Sequence, residues 1–309
     1  MCHGAGRVGG PMVSTAAPSR LPDNVRNWLV GARLKTLPVT LAPVAVGTGV
    51  AQALGHVSWW RATLTLVFAL GFVLGTNFFN DYSDGIRGTD AKRVGPARLV
   101  GSGQASPQQV LRSGIHLYVL GCLAGVVMAV TVSWWLLALT VTCGLGGWFY
   151  TGGAKPYGYK TLGEVSIFLF HGVIAVCATA FIQLERVPLL ALAASVPMGA
   201  LATALLVTNN LRDIPTDAEA GKITLAVVLG ERRTRLLYLL CIVGAFASGL
   251  ALAASRPWAL LLLAAVPFAV FPVHRVLSGA RGRDLIAALE HTCVLLLAFG
   301  TLQTIGLAL

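Results

Sequence analysis

Long apolar runs alternate with short polar segments along almost the whole chain. Nine runs can be delimited, at about 34–54, 60–79, 113–132, 134–151, 165–184, 188–208, 234–254, 257–273 and 287–307. Most reach about 18 residues, the length at which a helix can cross a bilayer. The apolar residues are continuous rather than alternating, which favours helices over the strands of a barrel. The pattern therefore predicts an all-α, polytopic membrane protein with about nine transmembrane helices.

Composition supports this prediction and limits the alternatives. Of the 309 residues, 56% are hydrophobic and only 11% are charged, whereas soluble domains carry about 25% charged residues. The net charge of +11 does not predict nucleic-acid binding, because the basic residues lie in loops and form no basic tract. Five of the six cysteines fall inside apolar runs and no CxxC occurs, which predicts small buried hydrophobes rather than a disulfide framework.

The N-terminal segment differs from the rest of the chain. Its first 20 or so residues are rich in Gly, Ala, Ser and Pro and contain no apolar core of a secretory signal. We expect residues 1–25 to form a disordered tail, with Met12 as an alternative start. Residues 26–309 are expected to form a single transmembrane domain.

The distribution of Lys and Arg predicts the orientation in the membrane. With nine spans, 20 of the 23 basic residues lie on the side of the N-terminus, and only Arg61, Arg186 and Arg256 lie on the other. Because cytoplasmic loops carry the excess of basic residues, we expect a cytoplasmic N-terminus, an external C-terminus and a location in the cell membrane.

Two acidic clusters follow the second and sixth spans, both on the basic side. The first is NDYSDGIRGTD, Asn80–Asp90, and the second is NNLRDIPTDAEAGK, Asn209–Lys222. Polar residues spaced by three or four positions share a face if the helix continues through them. Pro215 argues against one unbroken helix through the second cluster, because proline removes an N–H group and clashes with the preceding turn.

The chemistry of these clusters favours a metal–diphosphate site. Converging carboxylates repel one another unless a cation lies between them, and hard oxygen ligands suit Mg²⁺, which shares its shell with phosphate oxygens. Basic residues adjoin both clusters, and an apolar bundle could hold a lipid tail. The alternative is that each Asp is solvated or pairs with a neighbouring Arg.

At these residues the sequence resembles the UbiA superfamily of membrane prenyltransferases. Asn80, Asp84 and Asp90 match its first Asp-rich motif, although the final spacing is stretched and Gly88 stands where an Asp often occurs; Asn209, Asp213 and Asp217 match the second. The segments ARLKTLPVTLAPVAVGT, YTGGAKPYGYKTLGEV and NNLRDIPTDAEAGKITLAVVLG resemble the branch that acts on 1,4-dihydroxy-2-naphthoate in menaquinone biosynthesis. The match runs from about residue 32 to residue 230.

The resemblance implies a UbiA-type bundle around a central cavity that opens to the cytoplasm. It implies Mg²⁺-dependent transfer of a polyprenyl group from a polyprenyl diphosphate to 1,4-dihydroxy-2-naphthoate, with loss of CO₂ and diphosphate. The product would be demethylmenaquinone. The bilayer would be a further partner, and no nucleic acid would be involved.

Spacing and resemblance together give the expected site residues. The expected metal ligands are Asp81, Asp84, Asp90, Asp213 and Asp217. The expected catalytic residues are Asp84, Asp213, Lys155 and Tyr157. The expected substrate-binding residues are Asn80, Asn209, Asn210, Arg33, Lys35, Arg87, Arg93, Arg212 and Lys222.

Several of these residues have a plainer interpretation. The Asn residues could cap helix ends, and Arg33 and Lys35 could be membrane anchors. Glu164 is either a charge at a helix N-terminus or a cavity residue. His171 is either a hydrogen-bonded core histidine or a residue that faces the cavity.

Three other functions remain possible at this stage. A transporter would place its acidic residues nearer the middle of the membrane, on broken helices. A UbiA-type enzyme could act on another aromatic acceptor, such as 4-hydroxybenzoate. A purely structural bundle would not need two acidic clusters.

Overall fold

The computed structural model describes residues 23–89, 95 and 98–309, and all regular structure within these residues is helical. The α-helices are α1 (Asp23–Gly31), α2 (Pro38–Ala53), α3 (Trp59–Arg87), α4 (Pro107–Thr131), α5 (Trp135–Thr151), α6 (Gly163–Ile167), α7 (Ala175–Leu184), α8 (Leu189–Glu219), α9 (Leu225–Ala251), α10 (Val266–Leu277) and α11 (Asp284–Ala308). A π-helix, Phe168–Ile174, joins α6 to α7. Short 3-10 helices are Leu34–Thr36, Tyr157–Tyr159, Leu252–Ala254 and Pro257–Ala265.

Each of the nine predicted apolar runs coincides with a helix or a continuous helical stretch. Seven stretches in the described part of the chain are long and apolar enough to span a membrane. An eighth is obtained when the bent pair Val25–Thr36 and Pro38–Ala53, which meet at 48°, is taken as one span. Helix α5, with 17 residues, accounts for the remaining predicted run. The prediction of an all-α membrane bundle is confirmed, and the count of about nine is consistent with this arrangement.

Small residues allow the central helices to approach closely. A Cβ atom added to Gly300 of α11 would lie 2.5 Å from Cβ of Ala42 in α2. One added to Gly49 of α2 would lie 2.9 Å from the carbonyl oxygen of Thr304 in α11. Close backbone approach of this kind is how membrane helices gain packing energy, because lipid removes the hydrophobic drive between them.

Two helices run further than the apolar pattern alone predicts. Helix α3 continues through the first acidic cluster to Arg87 and ends at Gly88, whose φ of 73° suits glycine. Helix α8 passes through Pro215 and ends at Glu219, so the expected interruption there is wrong. Proline removes only one backbone donor, and packed neighbours of a membrane helix can compensate for it. Residues 80–87 of the first acidic cluster and 209–219 of the second are therefore presented on helical faces.

The two ends of the bundle differ in chemistry. The C-terminal ends of α3, α5 and α8 lie together at one end of the bundle, which we call the polar end. At the other end are the exposed tryptophans Trp59, Trp60, Trp134, Trp135 and Trp258. There the backbone N–H of Ser58 donates to Gln183, and the Gln183 amide donates back to the Ser58 carbonyl, at 2.8 and 3.1 Å. These bonds join the start of α3 to the end of α7.

The predicted tail, residues 1–25, falls almost entirely outside the described residues. Helix α1 begins at Asp23. The tail and the single-domain assignment stay predictions.

Candidate active site

One elongated cavity of about 290 Å³ runs between α2, α3, α5, the α6–α7 stretch and α8. Its polar end includes Asp84 and Lys222, and its far end includes Thr65 and Ile182. The 19 helical positions between Thr65 and Asp84 on α3 correspond to about 28 Å of helix, close to the thickness of a hydrocarbon core. Away from the polar end the walls are largely apolar, including Phe68 and Phe72 of α3.

The first acidic cluster contributes two side chains to the cavity, Asn80 and Asp84. Both are buried, and they are one helical turn apart on α3. The Asn80 amide oxygen accepts a hydrogen bond of 2.6 Å from the hydroxyl of Thr151. Asp84 Oδ1 accepts one of 2.5 Å from the hydroxyl of Tyr159, and Asp84 Oδ2 lies 3.6 Å from the guanidinium of Arg98. The spacing of four positions therefore places both groups on the cavity face.

Asp81, only three positions from Asp84, has a different environment. It is completely buried and is not among the residues that line the cavity. Its two carboxylate oxygens accept the backbone N–H groups of Leu99 and Val100, at 2.8 and 3.0 Å. Beside it, a Cβ atom on Gly85 would lie 2.4 Å from Cγ1 of Val100. Asp81 and the bare Gly85 backbone thus dock the segment around Leu99 onto α3.

The second acidic cluster is arranged along the last turns of α8. Arg212 donates two hydrogen bonds to the carboxylate of Asp213, at 2.7 and 2.6 Å, and a third of 2.8 Å to the amide oxygen of Asn209. Asp217 pairs with Lys222 at 3.3 Å. Asn210 donates a bond of 2.9 Å to the buried carboxylate of Glu164. Asn209, Asn210 and Lys222 line the cavity, whereas Asp213 and Asp217 lie buried beside it.

Tyr159 and Lys222 connect the two acidic clusters. The Lys222 ammonium lies 5.6 Å from the centre of the Tyr159 ring, the ring whose hydroxyl donates to Asp84. Burial, followed by the charge of Asp84, raises the pKa of Tyr159 to about 12. The hydroxyl therefore keeps its proton at physiological pH and remains a donor to the carboxylate. Clusters that are far apart in sequence thus form one continuous polar surface at one end of the cavity.

The loop after α5 supplies Tyr157 but not Lys155 to the cavity. The Tyr157 hydroxyl donates to the Gly146 carbonyl at 2.6 Å and lies 3.1 Å from the Ser166 hydroxyl, and burial raises its pKa. Lys155 is exposed and lies outside the cavity lining. Arg87 donates to the carbonyls of Thr151 and Gly153, so it holds this loop rather than facing the cavity.

The two basic residues just before α2, Arg33 and Lys35, lie in different environments. Arg33 lines the cavity and has a left-handed backbone, with φ of 55°. A non-glycine residue in this conformation is uncommon and is found where surrounding structure requires it. Lys35 instead pairs with Glu290 at 2.7 Å on the protein surface, where its side chain is 78% exposed.

The structure can be compared residue by residue with the expectations. The residues that line the cavity as expected are Arg33, Asn80, Asp84, Tyr157, Asn209, Asn210 and Lys222. The expected residues that do not line it are Lys35, Asp81, Arg87, Lys155, Arg212, Asp213 and Asp217. Asp90 and Arg93 lie outside the described residues.

Two groups at the polar end are not among the expected site residues, although Arg98 is one of the basic residues that adjoin the first acidic cluster in the sequence. Arg98 is buried, lines the cavity and pairs with Asp84. Tyr159 meets Asp84, Arg87 and Lys222. Both stand in segments that the sequence marked as polar loops, but neither segment indicates which of its residues turns inward.

The arrangement favours binding of a charged head group with an apolar tail. Carboxylates, amides and buried cations gather at one end of the cavity, and an apolar channel leads away from them. Such a site can bind anions through Arg33, Arg98 and Lys222, and hard cations through Asp84. Asp217 is a second carboxylate, buried beside the cavity and paired with Lys222.

Comparison with known proteins agrees with this chemistry. The sequence matches the UbiA prenyltransferase family over residues 40–299, most of the chain. The chain belongs to this family.

Relatives within the UbiA family carry specific names. The chain is 49% identical over 274 residues to the 1,4-dihydroxy-2-naphthoate octaprenyltransferase of Mycobacterium tuberculosis, covering 88% of this chain and 93% of that protein. It is 38% identical over 216 residues to the Escherichia coli protein of the same name, covering 67% and 70%. It is 33% identical over 230 residues to human UbiA prenyltransferase domain-containing protein 1, covering 71% and 67%.

Solved structures share the UbiA fold at low sequence identity. A UbiA homologue from Aeropyrum pernix superposes with a TM-score of 0.65 at 14% identity, covering 87% of this chain and 96% of that one. A homologue from Archaeoglobus fulgidus, solved with DMAPP and Mg²⁺, gives 0.59 at 17% identity, covering 90% and 99%.

Proposed function

We propose that this UbiA family member transfers a polyprenyl group from a polyprenyl diphosphate to 1,4-dihydroxy-2-naphthoate. Carbon–carbon bond formation is accompanied by loss of diphosphate and CO₂, and the product is demethylmenaquinone. The names of the relatives from Mycobacterium tuberculosis and Escherichia coli support this acceptor. The sequence segments that resemble the menaquinone branch agree with this acceptor.

The observation that carries the proposal is the division of this cavity into a charged end and an apolar interior. Buried Asp84 and Arg98 and the partly exposed Lys222 line one end, and Phe68 and Phe72 wall the interior. A prenyl diphosphate has the same division, with its charge at one end and an apolar chain at the other. A transporter would need polar groups nearer the middle of the membrane.

The donor set at the polar end fits Mg²⁺ that is held jointly with diphosphate. In the described part of the chain no group of three or more His, Cys, Asp or Glu side chains converges to form a metal site. Mg²⁺ is commonly bound by one or two carboxylates together with substrate phosphates, rather than by an all-protein cage. Asp84 and Asp217 supply such carboxylates, with Asp213 beside them and Asp90 as a further expected ligand. When bound, Mg²⁺ would neutralise charge on the leaving diphosphate.

The chain's own residues account for binding and orientation. Arg98 and Lys222 balance the charge of the diphosphate, with Arg212 holding Asn209 and Asp213 in place. Arg33, beside the same opening, binds the carboxylate of the acceptor. The apolar walls exclude water, which would otherwise capture an allylic cation before the ring attacks it.

We further propose that the polar end faces the cytoplasm and that the protein resides in the cell membrane. The excess of basic residues on the side of the acidic clusters supports this orientation. The N-terminus would then be cytoplasmic and the C-terminus external.

A membrane-fraction assay tests the proposal. The protein is incubated with 1,4-dihydroxy-2-naphthoate and a polyprenyl diphosphate, with Mg²⁺ or with EDTA, and the lipid product is followed by mass. We expect demethylmenaquinone only when Mg²⁺ is present. If product forms from 4-hydroxybenzoate instead, the proposed acceptor is wrong and the proposed site is retained. If no product forms with any aromatic acceptor, the proposal is refuted.

Variants then test the residues. Asp84→Ala and Asp213→Ala are expected to abolish turnover while the protein remains folded in the membrane. Asp284→Ala is the matched control, because Asp284 is exposed at the same end of the bundle and outside the cavity. Full activity of Asp84→Ala would contradict the assignment of the metal ligands.

A further inference from the structure

His171 occupies the middle of the π-helix Phe168–Ile174. A π-helical turn is rare and frequently marks a functional position, because it alters the direction of side chains relative to a regular α-helix. On one side, Gly172 packs against α8, where an added Cβ atom would lie 2.4 Å from Cα of Gly199. On the other side, Phe170, His171 and Ile174 line the cavity.

The imidazole of His171 lacks a hydrogen-bond partner in the part of the chain that the structure describes. Its Nδ1 atom is buried and unpartnered. Two hydroxyls on the cavity wall are satisfied: that of Thr76 lies 2.8 Å from that of Tyr118, and that of Tyr157 donates to Gly146. The Thr40 hydroxyl, at another part of the wall, is also buried without a partner in the described residues. A buried polar group without a partner is unfavourable, so a ligand group that hydrogen-bonds to His171 would gain binding energy.

The depth of His171 fits a ring that lies just beneath the diphosphate. Seven residues separate it from Glu164, which is bonded to Asn210 at the polar end; this is about 10 Å of helix. The N-terminus of α6 lies at the polar end, so His171 lies about two helical turns deeper along the cavity wall than Glu164.

Aromatic side chains wall the space between His171 and the polar end. Tyr150 and Tyr157 pack edge to face, with ring centres 5.5 Å apart, and both line the cavity with Phe170. Aromatic walls suit a flat aromatic ligand. A polyprenyl tail contains only carbon and hydrogen, so it offers no hydrogen bond to an imidazole nitrogen. A ring hydroxyl does.

We propose that His171 hydrogen-bonds the hydroxyl of the aromatic acceptor next to the carbon that is prenylated, and receives its proton during carbon–carbon bond formation. This inference rests on the proposed function. It adds a catalytic residue deep in the cavity to the charged groups at the polar end.

The proposed step conserves atoms and electrons. The bond between the prenyl carbon and the diphosphate oxygen breaks, and diphosphate leaves with the electron pair. The ring carbon that bears the carboxylate bonds to the prenyl carbon, the neighbouring hydroxyl becomes a carbonyl, and its proton moves to the imidazole. The resulting β-keto acid loses CO₂, the electron pair returns to the ring, and the oxygen regains the proton from His171.

Steady-state kinetics of His171→Leu and His171→Gln test the proposal. For His171→Leu we expect kcat to fall about 100-fold, as for loss of a general base. Its KM for the acceptor should rise about tenfold, which corresponds to one lost hydrogen bond. The KM for the polyprenyl diphosphate should stay within about twofold of that of the unaltered protein. His171→Gln retains a polar group, so it should recover the acceptor KM while kcat remains low.

His116→Leu is the matched control, because His116 is exposed on α4 and lies outside the cavity. If His171→Leu behaves like His116→Leu, or if only the KM for the diphosphate rises, the proposal is overturned. If His171→Leu is not recovered folded, His171→Gln decides: a normal kcat overturns the proton-transfer role. Failure of the proposed function is distinguishable, because it appears in the unaltered protein as absence of product from 1,4-dihydroxy-2-naphthoate.

Discussion

Replacing Asp81 by alanine tests whether its carboxylate holds the structure together or binds a metal ion. Both oxygens of Asp81 accept backbone N–H groups, from Leu99 and Val100, and the residue is fully buried. Hydrogen bonds to a charged group contribute about 1.5–3 kcal/mol each. Two of them lost together correspond to about 3–6 kcal/mol, enough to release the docked segment without unfolding the helices.

Limited trypsin digestion in detergent measures this release. Arg98, next to the two donors, is buried in the folded protein, so cleavage after it reports opening of the segment. We expect Asp81→Ala to be cut much faster at Arg98 than the unaltered protein, and the Mg²⁺ concentration for half-maximal activity to stay the same. The maximal rate should fall, because Arg98 is also the partner of Asp84.

Asp84→Ala provides the opposite pattern and serves as the comparison. Its segment should remain as resistant to trypsin as in the unaltered protein, since Asp81 still holds it, while turnover is lost. The reasoning is refuted if Asp81→Ala keeps normal resistance and instead raises the Mg²⁺ requirement, because that result would make Asp81 a metal ligand as the sequence pattern first suggested.

The remaining predictions concern three other side chains, Tyr159, Lys35 and Arg33. The pKa of Tyr159 is raised to about 12 from an ordinary 10. The stability that the protonated Tyr159 hydroxyl contributes is therefore complete below pH 10 and is lost as the pH rises toward 12. Over that pH interval, the denaturation midpoint of Tyr159→Phe should fall less steeply than that of the unaltered protein. Lys35→Ala should leave activity unchanged and stability within about 1 kcal/mol, because exposed ion pairs such as that with Glu290 contribute little. Arg33→Ala should weaken acceptor binding in titrations. If Lys35→Ala weakened it equally, the conclusion that Arg33 lines the cavity and Lys35 does not would be contradicted.

The apolar runs were sufficient to predict the fold, because in a bilayer the length and continuity of hydrophobic segments determine where helices can lie. The spacing of four residues between Asn80 and Asp84 also predicted their shared face, once the helix continued. The same periodicity failed to distinguish Asp81 from Asp84. That distinction depends on a segment 18 residues further along the chain, which approaches one side of α3 and not the other.

Other features carried no local signal at all. Tyr157 and Tyr159 are two positions apart in one loop, and the 3-10 turn Tyr157–Tyr159 decides which of them reaches Asp84. The π-helix around His171 arises in an ordinary apolar run, without a proline or any other residue that marks it. Pro215 is the converse case: it gave a local signal for a helix break, but α8 continues through it in the packed bundle.

The concentration of charged groups at one end of the cavity has an electrical consequence. Moving one elementary charge through the whole membrane field involves about 2.3 kcal/mol per 100 mV. A diphosphate that binds beside Asp84 and Lys222 enters and leaves at the edge of that field, while the opposite end is bridged by the Ser58–Gln183 bonds. For the proposed diphosphate site we therefore expect binding and release to be nearly independent of the membrane voltage, so that the proposed reaction would not draw on the potential of an energised membrane.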